Sequence, residues 1–363
     1  MSQPIILVIN PGSTSTRIAL YEGETLLADQ ELRCPPEQIG LCNKIIDQID
    51  FRTEQVRKFL AKNGRKVSDC AAIAARGGAL RPVPGGVYRV NQAMLEDARS
   101  DHFIEHASKL ACLIGDKLGT PDSVPCFIVD PVSTDEMADL SRISGLKELP
   151  RKGLTHALNL KRTARQFAAK LGKPYESLNL ITAHLGGGAS IAVHTGGRMV
   201  DSVDANGEGP FSPERCGGLR SDSLAKLVAA SGKDSHAIHK LLLTQAGLIS
   251  HLGTNDSRAV EKRAMEGDAH ARLVYEALAY GVAKHICGLA ATVNGKVDGV
   301  LLTGGLARSQ MIVEWIRQRV EFLGPVEVYP GEHEMEALHE GVANALADLE
   351  PVKVYPTGQP VIH

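Results

Sequence analysis

The segments ILVINPGSTSTRIALY at 6–21 and LNLITAHLGGGASIAV at 178–193 are built to one plan. In each, an apolar run enters a turn rich in Gly, Ser and Thr, and a second apolar run leaves it. Ile5, Leu7 and Ile9 lead into NPGSTST at 10–16, and Ile18, Leu20 and Tyr21 follow. Leu178, Leu180 and Ile181 lead into HLGGGAS at 184–190, and Ile191, Ala192 and Val193 follow. Apolar runs of this kind on both sides predict a strand, a turn and a strand, not a strand, a turn and a helix. Such a turn leaves several backbone N–H groups uncovered, with hydroxyls beside them and no bulky side chain in the way, which suits phosphate oxygens. The same device appearing twice predicts a duplicated nucleotide-binding unit with a cleft between its halves.

Around those turns the chain reads as α/β. The strand-like runs AAIAARGG at 71–78, SVPCFIVD at 123–130 and DGVLLTGG at 298–305 alternate with helical stretches. A length of 363 residues is too great for one ordinary core and predicts two domains. The polar stretch from Ser141 to Gly153 supplies a boundary, giving domains 1–150 and 151–333, with a last helix at 334–350 expected to pack back on the first domain. In that helix Ala337, Gly341 and Ala345 recur at helical spacing. A glycine inside a helix is disfavoured by about 1 kcal/mol against alanine unless another element approaches closely.

Composition narrows the partners. Forty Lys and Arg stand against 42 Asp and Glu, a net charge of −2 that gives no reason to expect a nucleic acid or an anionic membrane. The seven cysteines, at 34, 42, 70, 112, 126, 216 and 287, form no CxxC pair and fit reduced thiols in a cytoplasm. No basic stretch precedes the first apolar run, so a signal peptide is not expected. The longest nearly uncharged stretch, 178–197, holds His184, His194 and a glycine cluster and cannot be a membrane helix.

Two other readings of local patterns are weaker. A dinucleotide fingerprint needs a helix directly after the glycine turn and an acid some way on, and here strands follow. His102, Glu105 and His106 spell HxxEH, the inverted zinc-peptidase pattern, on an expected helix at 100–118. The apolar stripe of that helix, Phe103, Ala107, Leu110, Ile114 and Leu118, equally describes a core helix, and a peptidase leaves both glycine turns unexplained.

The ordered set ILVINPGSTSTRIAL at 6–20, AARGG at 74–78, FIVDP at 127–131, THALN at 155–159, AHLGGGASIAV at 183–193, PERCGGL at 213–219, LLTGGLARS at 301–309 and YPGEHEMEAL at 329–338 resembles the acetate and butyrate kinase family, its butyrate kinase branch most of all. The resemblance spans nearly the whole chain. It implies two RNase H-like domains of the actin, sugar kinase and Hsp70 ATPase group, a homodimer or larger assembly, and transfer of the γ-phosphoryl group of ATP to a short carboxylic acid.

Charge explains why such a reaction needs these residues. A short fatty acid is already a carboxylate at pH 7, so no general base is required, and the difficulty is to bring an anion against a polyanion. Arg76 and Arg215 are the matching arginines; a guanidinium fork grips a carboxylate or the equatorial oxygens of a phosphoryl group in a way Lys cannot. Arg76 is assigned to the substrate carboxylate and Arg215 to the transferring phosphoryl group. His156 matches a histidine that stabilises the transition state, and His106 a second active-site histidine. For Asp130, at a strand end, the resemblance implies a catalytic acid or base; since an ionised acid leaves little proton to move, it is read instead as an aligner of an arginine or of Mg²⁺-bound water. Asn10 and Glu334 match the Mg²⁺ positions, with Glu332 and Glu336 as neighbours in an uncertain register. For ATP or ADP, the resemblance implies Arg17 and His184 with Gly186, Gly187 and Gly188 near phosphate, Asp256, Ser257 and Arg258 beside adenosine, and Gly304, Gly305, Leu306, Ala307 and Arg308 at the adenine.

Departures from the family pattern concern the acid. VDPVSTDEM at 129–137 places Ser133 and Thr134 near Asp130, and Thr155 precedes His156 where phenylalanine is usual. A methylene in an apolar pocket is worth about 1–3 kcal/mol, so preference for chain length is graded. Butyrate is expected, with isobutyrate, valerate, propionate and acetate as alternatives. A non-catalytic ATP-binding switch of the same fold would have no use for Arg76, His156 and Arg215 together.

Overall fold

A computed structural model describes residues 3–40, 42, 44–103 and 107–360. Two compact units divide the chain: Met1–Asp135 with His333–His363, and Glu136–Glu332. Their sheets repeat one order.

In the first unit, β1 (Ile5–Pro11), β2 (Ser15–Glu22) and β3 (Thr25–Arg33) form an antiparallel meander, and β4 (Ala72–Arg76) and β6 (Cys126–Val129) extend it in parallel beyond β1. In the second, β7 (Leu180–Leu185), β8 (Ala189–Thr195) and β9 (Arg198–Asp204) form the meander, and β10 (Gly299–Gly304) and β11 (Val326–Pro330) extend it beyond β7. The strand order 3-2-1-4-6 in one sheet is matched by 9-8-7-10-11 in the other. This duplicated α/β arrangement is the actin-like ATPase architecture. The first sheet adds β5 (Val87–Arg89), β12 (Val352–Val354) and β13 (Gln359–Pro360) at its far edge, short strands that no sequence pattern announced.

The alternation of the opening segments explains the layers. Leu7, Ile9, Ile18 and Leu20 lie in a core with Val56, Phe59 and Leu60 of the helix Ile49–Lys62 and with the helix Leu110–Gly119. Ile181, Ala183, Ile191 and Val193 do the same in the second unit against the helix Ala269–Leu289. Each unit therefore buries its own apolar face.

The join falls between Asp135 and Glu136, before the boundary expected near 150. Glu136 explains the difference, because its buried carboxylate takes the Lys161 ammonium at 2.9 Å and the Met199 N–H at 2.9 Å. Within the polar stretch that follows, Arg151 holds Asp201 at 2.9 Å and Glu208 at 2.7 Å, tying that segment to the second unit. After Glu332 the chain re-enters the first unit as the helix Glu334–Leu346, which packs on β1, β4 and β6. A Cβ on Gly341 would stand 2.6 Å from Val129 Cγ1, so this glycine marks a close approach of helix to strand.

The helix expected over 100–118 begins only at Leu110. The preceding helix, Gln92–Arg99, ends at Ser100, and Lys109 Nζ donates to the Ser100 carbonyl at 2.9 Å. His102 sits exposed in the turn between, and Glu105 and His106 lie outside the described residues. No group of three or more His, Cys, Asp or Glu among the described residues could hold a metal ion. All seven cysteines are free thiols. No described helix is long and apolar enough to cross a membrane.

Candidate active site

Parallel pairing brings the first group together. Ile9 is in register with Ala75 and Arg76 with Val129, so Asn10, Arg76 and Asp130 emerge at the carboxyl ends of adjacent strands β1, β4 and β6. This is the edge where open α/β sheets place ligands. Arg76 is only 6% exposed, and its Nη2 meets Glu334 Oε1 at 2.9 Å. Asn10 Nδ2 donates to the other oxygen, Glu334 Oε2, at 2.7 Å. Of the three close glutamates, Glu334 is therefore the one beside Asn10. The Nη1 atom of Arg76 is buried without a hydrogen-bond partner among the described residues.

Asp130 is fully buried with φ 37°, in the left-handed region that non-glycine residues seldom adopt. Its Oδ1 accepts from the Gly86 N–H at 2.8 Å and its own N–H donates back to the Gly86 carbonyl at 3.0 Å, which fixes the loop after Pro84. Ser133 and Thr134 are buried nearby in sequence, and among the described residues their hydroxyl oxygens have no hydrogen-bond partner; the same holds for Thr155 in the second unit. Arg17 pairs across the hairpin with Asn10 in register, but its guanidinium is held by Asp29 at 2.6 Å and is half exposed. That bond raises its pKa.

The second group surrounds the 186–188 turn. His156 sits just before the helix Ala157–Lys170, and its ring stacks on His184 with centroids 3.9 Å apart and planes 11° from parallel. Its Nδ1 lies 2.9 Å from Ser190 Oγ on β8. His184 Nδ1 is 2.9 Å from Asn159 Oδ1, and the Asn159 amide nitrogen donates to the Glu332 carbonyl. This amide orientation makes His184 Nδ1 the donor, so the proton of the neutral ring sits there. A Cβ on Gly188 would come within 2.5 Å of Arg215 Nη1, so the guanidinium lies against bare backbone. Ser212 secures that approach: its Oγ donates to the Gly187 carbonyl at 2.6 Å and accepts from the Arg215 N–H at 3.2 Å. Arg215 acts on the Asp204 carboxyl through its charge, yet forms no ion pair among the described residues. Burial pushes the Asp204 carboxyl up to about 6.

The remaining nucleotide candidates lie in the same unit. Asp256 caps the helix Ser257–Met265 by accepting from the Arg258 N–H at 3.0 Å, while the Arg258 side chain is exposed. Asn255 Nδ2 donates to Glu214 Oε1 at 2.9 Å, linking this cap to the Arg215 loop. β10 ends at Gly304, whose φ of 90° and position 2.4 Å from the Leu185 carbonyl oxygen, measured from a would-be Cβ, admit only glycine. Leu306 and Ala307 are buried in the core, whereas Arg308 is exposed.

Sequence reading overlooked Asn159, Ser190 and Ser212. Asn159 and Ser190 lay inside the quoted motifs THALN and HLGGGAS, but nothing in their spacing tells that they bond the two histidines.

Residues 147–347 match the model of the acetokinase family. The chain is 45% identical over 350 residues to the probable butyrate kinase 2 of Caldanaerobacter subterraneus subsp. tengcongensis, covering 96% of this chain and 99% of that protein. In fold it is similar to Porphyromonas gingivalis acetate kinase, with a TM-score of 0.77, 18% identity, and coverage of 93% of this chain and 99% of the other. It is also similar to a propionate kinase from Francisella tularensis subsp. tularensis SCHU S4, with a TM-score of 0.73, 21% identity, and coverage of 93% and 99%.

Proposed function

Since the chain belongs to the acetokinase family, we propose that it moves the γ-phosphoryl group of ATP to butyrate, giving butyryl phosphate and ADP, and runs the same reaction in reverse. It is a carboxylate kinase, and ATP and ADP are its nucleotides. Butyrate as the preferred acid follows the similarity to the butyrate kinase above. Isobutyrate is its branched isomer, and valerate, propionate and acetate differ from it by one or two carbons, so graded activity on them is expected.

One observation carries this reading: Arg76 is buried, one edge of its fork is neutralised by Glu334, and Nη1 has no hydrogen-bond partner among the described residues. A buried guanidinium with an unmet donor is matched by an anion able to accept from it, and a carboxylate is the right shape. Asp130 holds the Gly86 loop and serves as an aligning group; no proton has to be removed from an acid already ionised. In the second unit, Arg215 offsets charge on the transferring phosphoryl group, and the glycine turn holds phosphate oxygens. His156 Nδ1 lies 2.9 Å from Ser190 Oγ; with the hydroxyl as donor in that contact, the His156 proton would sit on Nε2 for donation to a phosphoryl oxygen.

The donor set fits Mg²⁺. One carboxylate, Glu334, and one amide oxygen, from Asn10, suit an ion that keeps several waters and takes further ligands from phosphates. Bound there, Mg²⁺ would neutralise part of the nucleotide's charge. An assembly of two or more copies, and a cytoplasmic setting compatible with seven free thiols, belong to the same reading.

Trapping acyl phosphate as the hydroxamate, with ATP, Mg²⁺ and acids from acetate to hexanoate, tests it. Butyrate is expected to give the highest kcat/KM. Absence of hydroxamate with every acid would overturn the kinase reading, and a clear maximum at another acid would overturn the choice of butyrate.

A further inference from the structure

Arg52 is the one fully buried arginine whose charge the mechanism above leaves unused. It stands on the inner face of the helix Ile49–Lys62, with Val56, Phe59 and Leu60 one and two turns further on. All five of its N–H protons are used, and every acceptor is neutral. Nε and Nη2 donate to Gln48 Oε1 at 3.0 and 2.8 Å. Nη1 donates to the Ser15 carbonyl at 2.9 Å and to Thr16 Oγ1 at 2.8 Å, and Nη2 donates to the Ser13 carbonyl at 3.2 Å. No carboxylate among the described residues pairs with it; the charged or ionisable neighbours that act on it are the thiols Cys34 and Cys42.

Three of those contacts go to the first glycine turn. The Ser15 carbonyl accepts from both Arg52 and the Gly12 N–H, the latter at 2.8 Å, and the Thr14 carbonyl is held by the Cys34 N–H at 2.8 Å. The carbonyls of Ser13, Thr14 and Ser15 are thus all engaged. In a trans peptide the N–H lies opposite the preceding carbonyl, so drawing the Ser13 carbonyl toward Arg52 turns the Thr14 N–H away from it. A buried arginine remains charged. An ion pair would cancel its field, but amides and a hydroxyl leave the net charge standing beneath the turn.

We propose that Arg52 is a positioning residue for phosphate at the 12–14 turn: its fork sets the peptide planes of the turn, and its uncancelled charge attracts the anion that binds there. The inference rests on the nucleotide reading above for the identity of that anion, but not for its existence.

Calorimetry with sodium tripolyphosphate as the probe tests the proposal on wild type, Arg52→Met and Arg52→Lys. Wild type is expected to bind; Arg52→Met, which keeps the length and loses the charge, should bind about tenfold or more weakly. Arg52→Lys restores the charge without the fork and should fall between. In turnover assays KM for ATP should rise in the same order while KM for the acid stays within about twofold, a split that general destabilisation would not produce. A folded Arg52→Met protein binding tripolyphosphate as wild type does, or wild type that binds none, overturns the proposal. If Arg52→Met is insoluble, Arg52→Lys decides: affinity reduced by about threefold or more supports the brace, and unchanged affinity overturns it. Wild type that binds tripolyphosphate through Arg52 but makes no acyl phosphate sinks the kinase reading alone. Active wild type with an indifferent Arg52 sinks this inference alone.

Discussion

Arg76 and Glu334 meet at 2.9 Å inside the first unit although the whole of the second unit, Glu136–Glu332, separates them in the chain. The glutamate arrives on the returning helix Glu334–Leu346 and engages Nη2 of the fork, while Nη1 has no hydrogen-bond partner among the described residues.

Arg76→Lys keeps the charge and removes the two-pronged geometry. We expect kcat/KM for butyrate to fall by about 100-fold, measured by hydroxamate trapping, with nucleotide affinity little changed. Activity within threefold of wild type would show that Arg76 does not hold the acid.

Gly188→Ala introduces a Cβ where Arg215 Nη1 now stands, at 2.5 Å. The guanidinium must move by roughly an ångström, and misplacement of that order lowers kcat by about 100-fold. The turn itself should tolerate the methyl group, so a melting temperature close to wild type is expected alongside the kinetic loss. Unaltered kcat in a folded variant would remove Arg215 from the reaction.

Buried His194 and partly buried Asp204 of the second unit give opposing pH dependences. His194, held between Tyr175 and Thr182, is pushed down to about 3 by burial, while Asp204 is pushed up to about 6. Between pH 4 and 6 the unfolded chain binds a proton at His194 that the folded one refuses, so this group's stabilisation is complete above about 6.5 and lost as pH falls. Asp204 does the reverse: its folded form keeps a proton the unfolded form has released, and that stabilisation disappears as pH rises through about 6. Each slope is at most about 1.4 kcal/mol per pH unit, and in wild type the two offset. Urea unfolding from pH 6 to 4 should therefore show His194→Gln gaining stability relative to wild type on acidification, and Asp204→Asn losing it. Parallel curves for all three proteins would refute both assignments.

Gly341→Ala sets two effects against each other. Helix propensity favours alanine by about 1 kcal/mol, but the contact with Val129 at 2.6 Å overpacks the interface by about 1–3 kcal/mol. A net loss of up to about 2 kcal/mol is expected in denaturant titration, and adding Val129→Ala should recover part of it. Additive single and double variants would mean that helix and strand do not press on each other there.

The elements that came plainly from the sequence are those whose pattern is local. Ile5 to Tyr21 and Leu178 to Val193 alternate strongly enough to give both hairpins, and a strand ending in two glycines marked Gly304. Unit boundaries were less legible because Glu136 belongs to the second unit through a buried partner, Lys161, that lies well along the chain. The three-residue strand at Val352–Val354 carries too little pattern to stand apart from loop. Within the site, arginines and histidines could be picked out by motif, but the groups that orient them could not. Asn159, Ser190 and Ser212 act through hydrogen bonds to partners in other elements, and no periodicity records such bonds.

The return of the chain to its first sheet also orders events on the ribosome. The meander of the first unit is synthesised early, but its last helix and β12 are made only after Glu136–Glu332, a delay of about 10–40 s at ordinary elongation rates. The second unit can close as soon as it emerges, whereas the nascent first sheet must wait with the β1, β4 and β6 face that the helix will cover still open. A chain that stalls before Glu334 therefore has no carboxylate for Arg76 and presents an uncovered apolar face to the quality-control machinery, so incomplete translation products are both inert and conspicuous.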